Sequence, residues 1–486
     1  MKKYLFYILI GAVFFAYVLC RAFWLSVTYD EAWTLACFVP CSIKDVFLFV
    51  PCDANNQILN TLFIKLFFKL GFNSVGIARL PNVLAFILYM VYGAKIARRN
   101  FGPLAALCLF VLLVANPFVL DFFSLARGYG LALAFMLTSV YYVMEFHRQW
   151  RIKPLVLALL FASLAVLSNF TLLNFMVAAM GILIFVSWAK TGFGKQTVWV
   201  LCWNLAAAAC LAWLIYTPLH KLILNHSLYY GGSSGVFFDS LVSLVAYSMY
   251  DPYHTAQATI LAGLGCGVFV ALLVFSAVAT LRKPQKWWLN RPFLFVALLL
   301  VPMAANVVEH VVFGTLFLID RTALFYIPLL FLALVALVND VDSGWRAPWL
   351  KWGLGCVTLI MLLNFAMHAN GYKTVSWQFD AHTKAILQQL DAEGKAKNKR
   401  ITIDYSWPFE SAIHFYIDHK VFKNLSIWKM SDDRESMNPK VGYYFYYNKS
   451  LNIVGYNADE QTIVHCQKDT ALAFERDGVF LFKNIK

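Results

Sequence analysis

Apolar runs of about twenty residues recur along this chain, and no other feature constrains its fold as much, because a helix of that length crosses the hydrocarbon core of a bilayer. About eleven such runs can be placed, near 4–24, 77–97, 103–120, 129–146, 154–169, 171–189, 197–218, 256–281, 292–313, 322–338 and 350–368. Of the 486 residues 61% are hydrophobic and only 14% charged, a mixture foreign to water-soluble domains. The expected fold class is therefore an α-helical polytopic membrane protein. Several runs are short, which points to tilted or broken helices. The first follows Lys2 and Lys3 but lacks a small-x-small cleavage site, so it reads as a retained span and not as a signal peptide.

The basic residues set the orientation. Lys95, Arg98 and Arg99, then Arg148, Arg151 and Lys153, then Lys190 and Lys195, then Arg282, Lys283, Lys286 and Arg291, and finally Arg346 and Lys351 all fall in loops on the side of the N-terminus. The positive-inside rule makes that side cytoplasmic, and an odd number of spans puts the tail outside. The net charge of +14 is thus a mark of topology and implies no nucleic-acid partner. The outer side is read as the periplasm of a bacterial inner membrane, with an organelle lumen as the alternative.

The expected domains are a membrane module over 1–369 and a soluble outer domain over 370–486. Three outer segments exceed simple turns. The first loop, about 25–76, holds Leu62, Phe63, Leu66, Phe67 and Leu70 at helical spacing, which suits a helix lying in the interface. A second, 220–254, contains Tyr229, Tyr230, Gly231, Gly232, Ser233, Ser234 and Gly235, a flexible stretch suited to gating or substrate binding. The tail alternates helix-like (382–390, 410–417) and strand-like (400–405, 441–447, 479–482) stretches, the pattern of a small α/β domain. Cys37, Cys41 and Cys52 in the first loop and Cys466 in the tail leave disulfide pairing open, and no zinc-ligand spacing is present.

Asp30 and Glu31 follow directly on the first span. Adjacent carboxylates at a membrane surface are costly unless wet or partnered, and one of them could act as a general base. The plainer reading has Asp30 capping a short helix and Glu31 favouring its first turn. Arg127, between the third and fourth runs, can bind a phosphate with both guanidinium nitrogens, and Gly128 and Gly130 would let a ligand approach the backbone. Its plainer reading is an interfacial arginine paired with Asp121 or lipid headgroups. Arg321 occupies the equivalent place before the tenth run, as an anion ligand or a local partner of Asp320. Glu309 and His310 lie within the ninth run, as functional groups or as an interhelical hydrogen bond. The amides Asn55, Asn56, Gln57 and Asn60 suit sugar hydroxyls, though amides also serve turns and caps. No phosphate-binding loop or dinucleotide fingerprint occurs, so a soluble nucleotide site has no support.

Taken in order, Tyr29-Asp30-Glu31-Ala32, Asn55-Asn56-Gln57 with Leu59-Asn60-Thr61-Leu62, Ala78-Arg79-Leu80-Pro81-Asn82, Ala126-Arg127-Gly128-Tyr129 and Arg321 resemble the GT-C membrane glycosyltransferases. The branch concerned is that of the dolichyl-phosphate-mannose protein mannosyltransferases and the lipid A aminoarabinose transferases (glycosyltransferase family 39-like), over most of 1–340. The resemblance implies transfer of a sugar from a polyprenyl-phosphate donor to a lipid, glycan or protein acceptor, with inversion, on the outer face of the membrane. It implies Asp30, beside Glu31, as the base; Arg127 and Arg321, supported by Arg79 and Tyr129, at the donor phosphate; and Asn56, Gln57, Asn60 and Tyr230 at sugar or acceptor. No cofactor is required by it, and a divalent metal stays open. Gln57 stands where relatives often carry a histidine, and Gly128 and Gly130 where they carry bulkier residues. A transporter or flippase of lipid-linked sugars and an O-antigen ligase or polymerase are the rival readings.

Overall fold

The computed structural model describes residues 5–51, 53–71, 74–281, 290–345, 347–427, 442–447 and 470–484. Cys52, Cys466, Arg282, Lys283, Lys286, Arg346 and residue 441 lie outside them. The packing divides into two units, one of residues 1–22 with 41–369 and one of 23–40 with 370–486. Residues 23–40, which the sequence assigns to the membrane module, thus pack with the tail.

In the first unit, nine helices among the described residues are long and apolar enough to span a membrane. Among the described residues, each of the eleven expected runs falls largely on helix. Two of them depart from a simple span. The run expected at 103–120 is Pro103–Val114 followed by Pro117–Phe123, bent by 59°. The break has a local cause: Pro117 has no N–H to return to the preceding turn, and the Asn116 side chain accepts the Val119 N–H at 3.1 Å to start the next helix. The run at 154–169 is the shorter helix Ile152–Ser168, which packs against the deeply buried helix Tyr129–Gln149.

Buried polar pairs tie the apolar helices of this unit together. Arg21 and Asp121, both almost fully buried, form an ion pair of 2.6 Å. Tyr250 donates to both Asp121 oxygens at 3.0 and 3.1 Å, and Arg21 donates to Tyr17 Oη at 2.8 Å. Glu309 accepts from Asn174 at 3.1 Å, so the interhelical hydrogen bond is present. His310 donates to the Thr315 carbonyl at 2.6 Å and stacks on Phe317. The basic loops gather at one end: Arg99 and Arg148 share Glu145, Lys190 sits 3.9 Å over Trp150, and Arg291 lies within electrostatic reach of Arg148.

The helix Ile58–Lys69 buries Ile58, Asn60, Thr61 and Ile64, while Leu66 and Leu70 are exposed. The stretch 229–235, expected to be flexible, is tied down. Gly232 and Phe317 exchange backbone hydrogen bonds of 2.9 and 2.8 Å, and Asp239 accepts the Ser234 and Gly235 amides at 2.6 and 2.7 Å. A Cβ on Gly232 would stand 2.1 Å from the Asp239 carboxyl carbon, so this glycine serves close approach, not mobility.

The second unit holds a five-stranded sheet: β1 (Ile401–Tyr405), β2 (Leu425–Ile427), β3 (Tyr443–Tyr447), β4 (Thr470–Arg476) and β5 (Val479–Asn484), in the order β2-β1-β3-β5-β4. β1 pairs in parallel with β2 and β3, and β5 antiparallel with β3 and β4. The β4–β5 turn is Asp477-Gly478, both at positive φ (50° and 76°), which matches the twist of a two-residue hairpin. The helices Thr383–Ala396 and Glu410–Asp418 bury Ile386, Leu387, Leu390, Ala412, Ile413 and Tyr416 at helical spacing.

Candidate active site

The acidic pair belongs to the second unit. Thr28 starts the helix Tyr29–Trp33, and Glu31, fully buried, accepts from the Thr28 N–H at 3.0 Å and the Thr28 hydroxyl at 3.1 Å. The capping function expected of Asp30 is thus carried by Thr28 and Glu31. Asp30 is 6% exposed, and its carbonyl accepts from Thr34 at 2.8 Å. Around this turn, Val27 N–H donates to Tyr416 at 2.9 Å, Lys384 N–H to Ser26 Oγ at 3.2 Å, and Tyr29 N–H to Asp380 Oδ2 at 2.7 Å. Tyr29 and Trp407 set their rings 5.4 Å apart. Asp380 is an acid that the sequence reading missed. Burial pushes its carboxyl well above the usual carboxylate range, and Glu31 and Asp30 add to this against the pull of the Tyr29 amide.

In the first unit Arg127 is 2% exposed and donates to Asn55 twice, to its carbonyl at 3.2 Å and its Oδ1 at 2.9 Å. Asp121, the partner expected in the plainer reading, is paired with Arg21. The segment carrying Arg127 is fixed by the amides expected at sugar hydroxyls. Gln57 Oε1 accepts the Gly128 N–H at 2.5 Å, Asn60 Nδ2 donates to the Ala126 carbonyl at 2.8 Å, and Asn82 Oδ1 accepts the Leu131 N–H at 3.0 Å. Asn82 also donates to Asn60 at 2.9 Å, and Asn56 to the Val46 carbonyl at 2.9 Å. Asn56, Gln57 and Asn60, expected at sugar or acceptor, are buried and bond to the protein's own backbone. A Cβ at Gly128 would lie 2.2 Å from the Ser168 carbonyl oxygen and one at Gly130 2.9 Å from Phe122 O, so both glycines serve close approach of protein backbone. Arg79, fully buried, donates to the Ala22 carbonyl at 3.0 Å. Tyr129 packs its ring 4.7 Å from Phe122.

Arg321 lies with its guanidinium 4.2 Å over the Tyr230 ring, and the Tyr230 hydroxyl donates to Asp320. Tyr230 therefore holds Arg321 and its neighbour, and its hydroxyl is engaged. Asp320 sits at φ 36° with its N–H on Ser243 Oγ at 2.9 Å. Burial pushes its carboxyl up although Arg321, Tyr230 and Tyr247 pull the other way. An aromatic run, Tyr129–Phe122–Phe118–Tyr247, with centroids 4.7, 5.4 and 5.0 Å apart, leads from the Arg127 segment to the Asp320–Arg321 segment. Among the described residues no three His, Cys, Asp or Glu side chains are grouped to hold a metal.

A family model described as dolichyl-phosphate-mannose-protein mannosyltransferase matches residues 57–216, a shorter stretch than the expected 1–340. That match contains Arg79, Arg127 and Tyr129 and leaves Asp30, Glu31 and Arg321 outside. None of the curated proteins matches the chain in sequence. Among solved structures, the chain is similar to ArnT from Cupriavidus metallidurans bound to undecaprenyl phosphate, at 10% identity and a TM-score of 0.53, over 99% of this chain and 98% of that one. The apo form of the same protein gives 11% identity and a TM-score of 0.51, over 99% and 97%. The chain is a multi-pass membrane protein with the fold of the GT-C glycosyltransferases and a small C-terminal sheet domain.

Proposed function

We propose that this protein is an inverting glycosyltransferase that moves a sugar from a polyprenyl-phosphate donor to a lipid, glycan or protein acceptor on the outer face of the membrane. The observation that carries the reading is the mannosyltransferase model over residues 57–216 in a chain whose fold is that of a membrane glycosyltransferase throughout. The undecaprenyl phosphate bound by ArnT supports a carrier of the same chemical kind. Asp30 takes the proton of the acceptor hydroxyl, and that oxygen attacks the anomeric carbon from the face opposite the phosphate. The glycosidic bond to the phosphate oxygen breaks, and the electron pair leaves with the polyprenyl phosphate. Arg127 and Arg321 neutralise the charge that develops there, as charge-assisted donors already held in place. Arg79 and Tyr129 act by packing around these segments, and Glu31 by fixing the turn that presents Asp30.

The test compares lipid-linked sugars and envelope glycans by mass spectrometry in cells with the wild-type gene, without it, and with Asp30→Asn. A lipid-linked sugar that accumulates in both defective strains, with the matching sugar missing from one glycan, lipid or protein, is the expected result. Normal glycans with Asp30→Asn would remove Asp30 from the mechanism. An unchanged carrier pool and unchanged glycans without the gene would overturn the transferase reading in favour of transport.

A further inference from the structure

Asp380 ends the single turn Gln378–Asp380 and is 1% exposed. Its Oδ2 accepts the Tyr29 amide, while its Oδ1 is buried without a hydrogen-bond partner among the described residues. The charged groups that face it are Glu31 and Asp30, both in the helix that Asp380 holds by its first amide. Three carboxyls in one dry interior do not all ionise, since lost hydration and mutual repulsion both favour keeping a proton on one of them. Glu31 takes two hydrogen bonds from Thr28, which favour its charged form, whereas Asp380 takes one.

We propose that Asp380 is a positioning residue of the transfer reaction: as a neutral acid it fixes the Tyr29 amide, and with it the presentation of Asp30. This rests on the reading of Asp30 as the base. The proton resides on Oδ1, the oxygen that no donor among the described residues occupies. A neutral Asp380 accepts the amide without adding a negative charge beside the base. An amide side chain would do the same, and a methyl group would not.

The test uses the full-length protein and measures kcat, donor KM and the pH profile over roughly pH 5 to 9 for wild type, Asp380→Asn and Asp380→Ala. Asp380→Ala is expected to lower kcat about ten- to a hundred-fold with donor KM unmoved, the scale of a base displaced by an ångström. Asp380→Asn is expected to restore the rate to within about three-fold and to leave the acid limb of the profile where it was. Melting gives an independent readout. A carboxyl whose folded pKa is raised above 3.8 leaves stability whole at low pH and costs stability as pH climbs toward the folded value. Asp380→Asn should therefore melt above wild type at pH 8, with the gap closing near pH 4. Wild-type kinetics in Asp380→Ala, an Asn variant as impaired as the Ala variant, or an acid limb that moves in Asp380→Asn would each overturn the proposal. If Asp380→Ala does not fold, the Asn profile and melts decide alone. A full transfer rate in Asp30→Asn would sink the functional reading instead and leave the melting difference standing.

Discussion

At Gly128 the nearest backbone leaves no room for a side chain, since a Cβ would meet the Ser168 carbonyl at 2.2 Å and Gln57 at 3.1 Å. Gly128→Ala is expected to cost about 1–3 kcal/mol, because the obstacle is backbone and cannot rotate away. A lower melting temperature of the purified protein would check this, and an unchanged one would mean that the two segments separate at little cost. Asp121→Ala leaves the buried Arg21 guanidinium without its carboxylate, at a cost of about 3–5 kcal/mol. Loss of monodisperse protein on gel filtration is the expected outcome. The amides of 55–60 mark the limit of reading single residues from sequence. Asn and Gln donate and accept in the same way to a sugar hydroxyl and to a peptide group, so their type and spacing are equally suited to both. Only the folded structure shows that Ala126, Gly128 and Val46 are among their partners. Asp380 was hidden for a related reason, because an acid in a polar tail is ordinary until packing buries it.

Between elements, the clearest device is the clamp of 229–250 on 314–323. Tyr230 places its hydroxyl on Asp320 and its ring under Arg321, so one side chain fixes both neighbours. Tyr230→Phe keeps the ring and removes the hydroxyl. It is expected to raise donor KM about five-fold or more with kcat little changed, as the loss of one hydrogen bond to a charged group implies. Unaltered donor KM would show that Arg321 needs no such support. In the tail, the Asp477 turn is anchored by His382 at 2.7 Å and Lys373 at 3.2 Å. Although burial pulls the Asp477 carboxyl up, these partners hold it below its ordinary value of 3.8. Its contribution to stability is therefore present above pH 3.8 and lost as the pH falls through the lower folded value. Asp477→Asn should melt lower than wild type at neutral pH and lose less on acidification, which a series of melts between pH 7 and about pH 3 would reveal.

For the whole molecule, the membrane helices were legible because hydropathy over a twenty-residue window needs no knowledge of partners. The bend at Asn116-Pro117 was written in the sequence as a proline after a capping residue, but a hydropathy count passes over it. The tail was legible as helices and as β1, β3 and β5, whose apolar character is local. β2 is three residues long, and β4, with the sequence TALAFER, carries more helix formers than strand formers. Pairing with β1 and β5 decides both, and pairing is not a property of the segment itself. The division of the chain into units was likewise beyond local reading, because residues 23–40 carry no mark of the tail that receives them.

That reception has a consequence in time. The hydrogen bonds that seat the acidic turn join Ser26 to Ala381, Val27 to Tyr416 and Tyr29 to Asp380, across 355, 389 and 351 positions of sequence. At a ribosomal pace of about 5–20 residues per second, the turn waits roughly 20 to 80 seconds for its partners to be made. Contacts of such high order form late, so a nascent chain that has already threaded its helices into the bilayer still lacks the frame around Asp30. The turn is in this sense completed only when the segments around 380 and 416 have been made and folded.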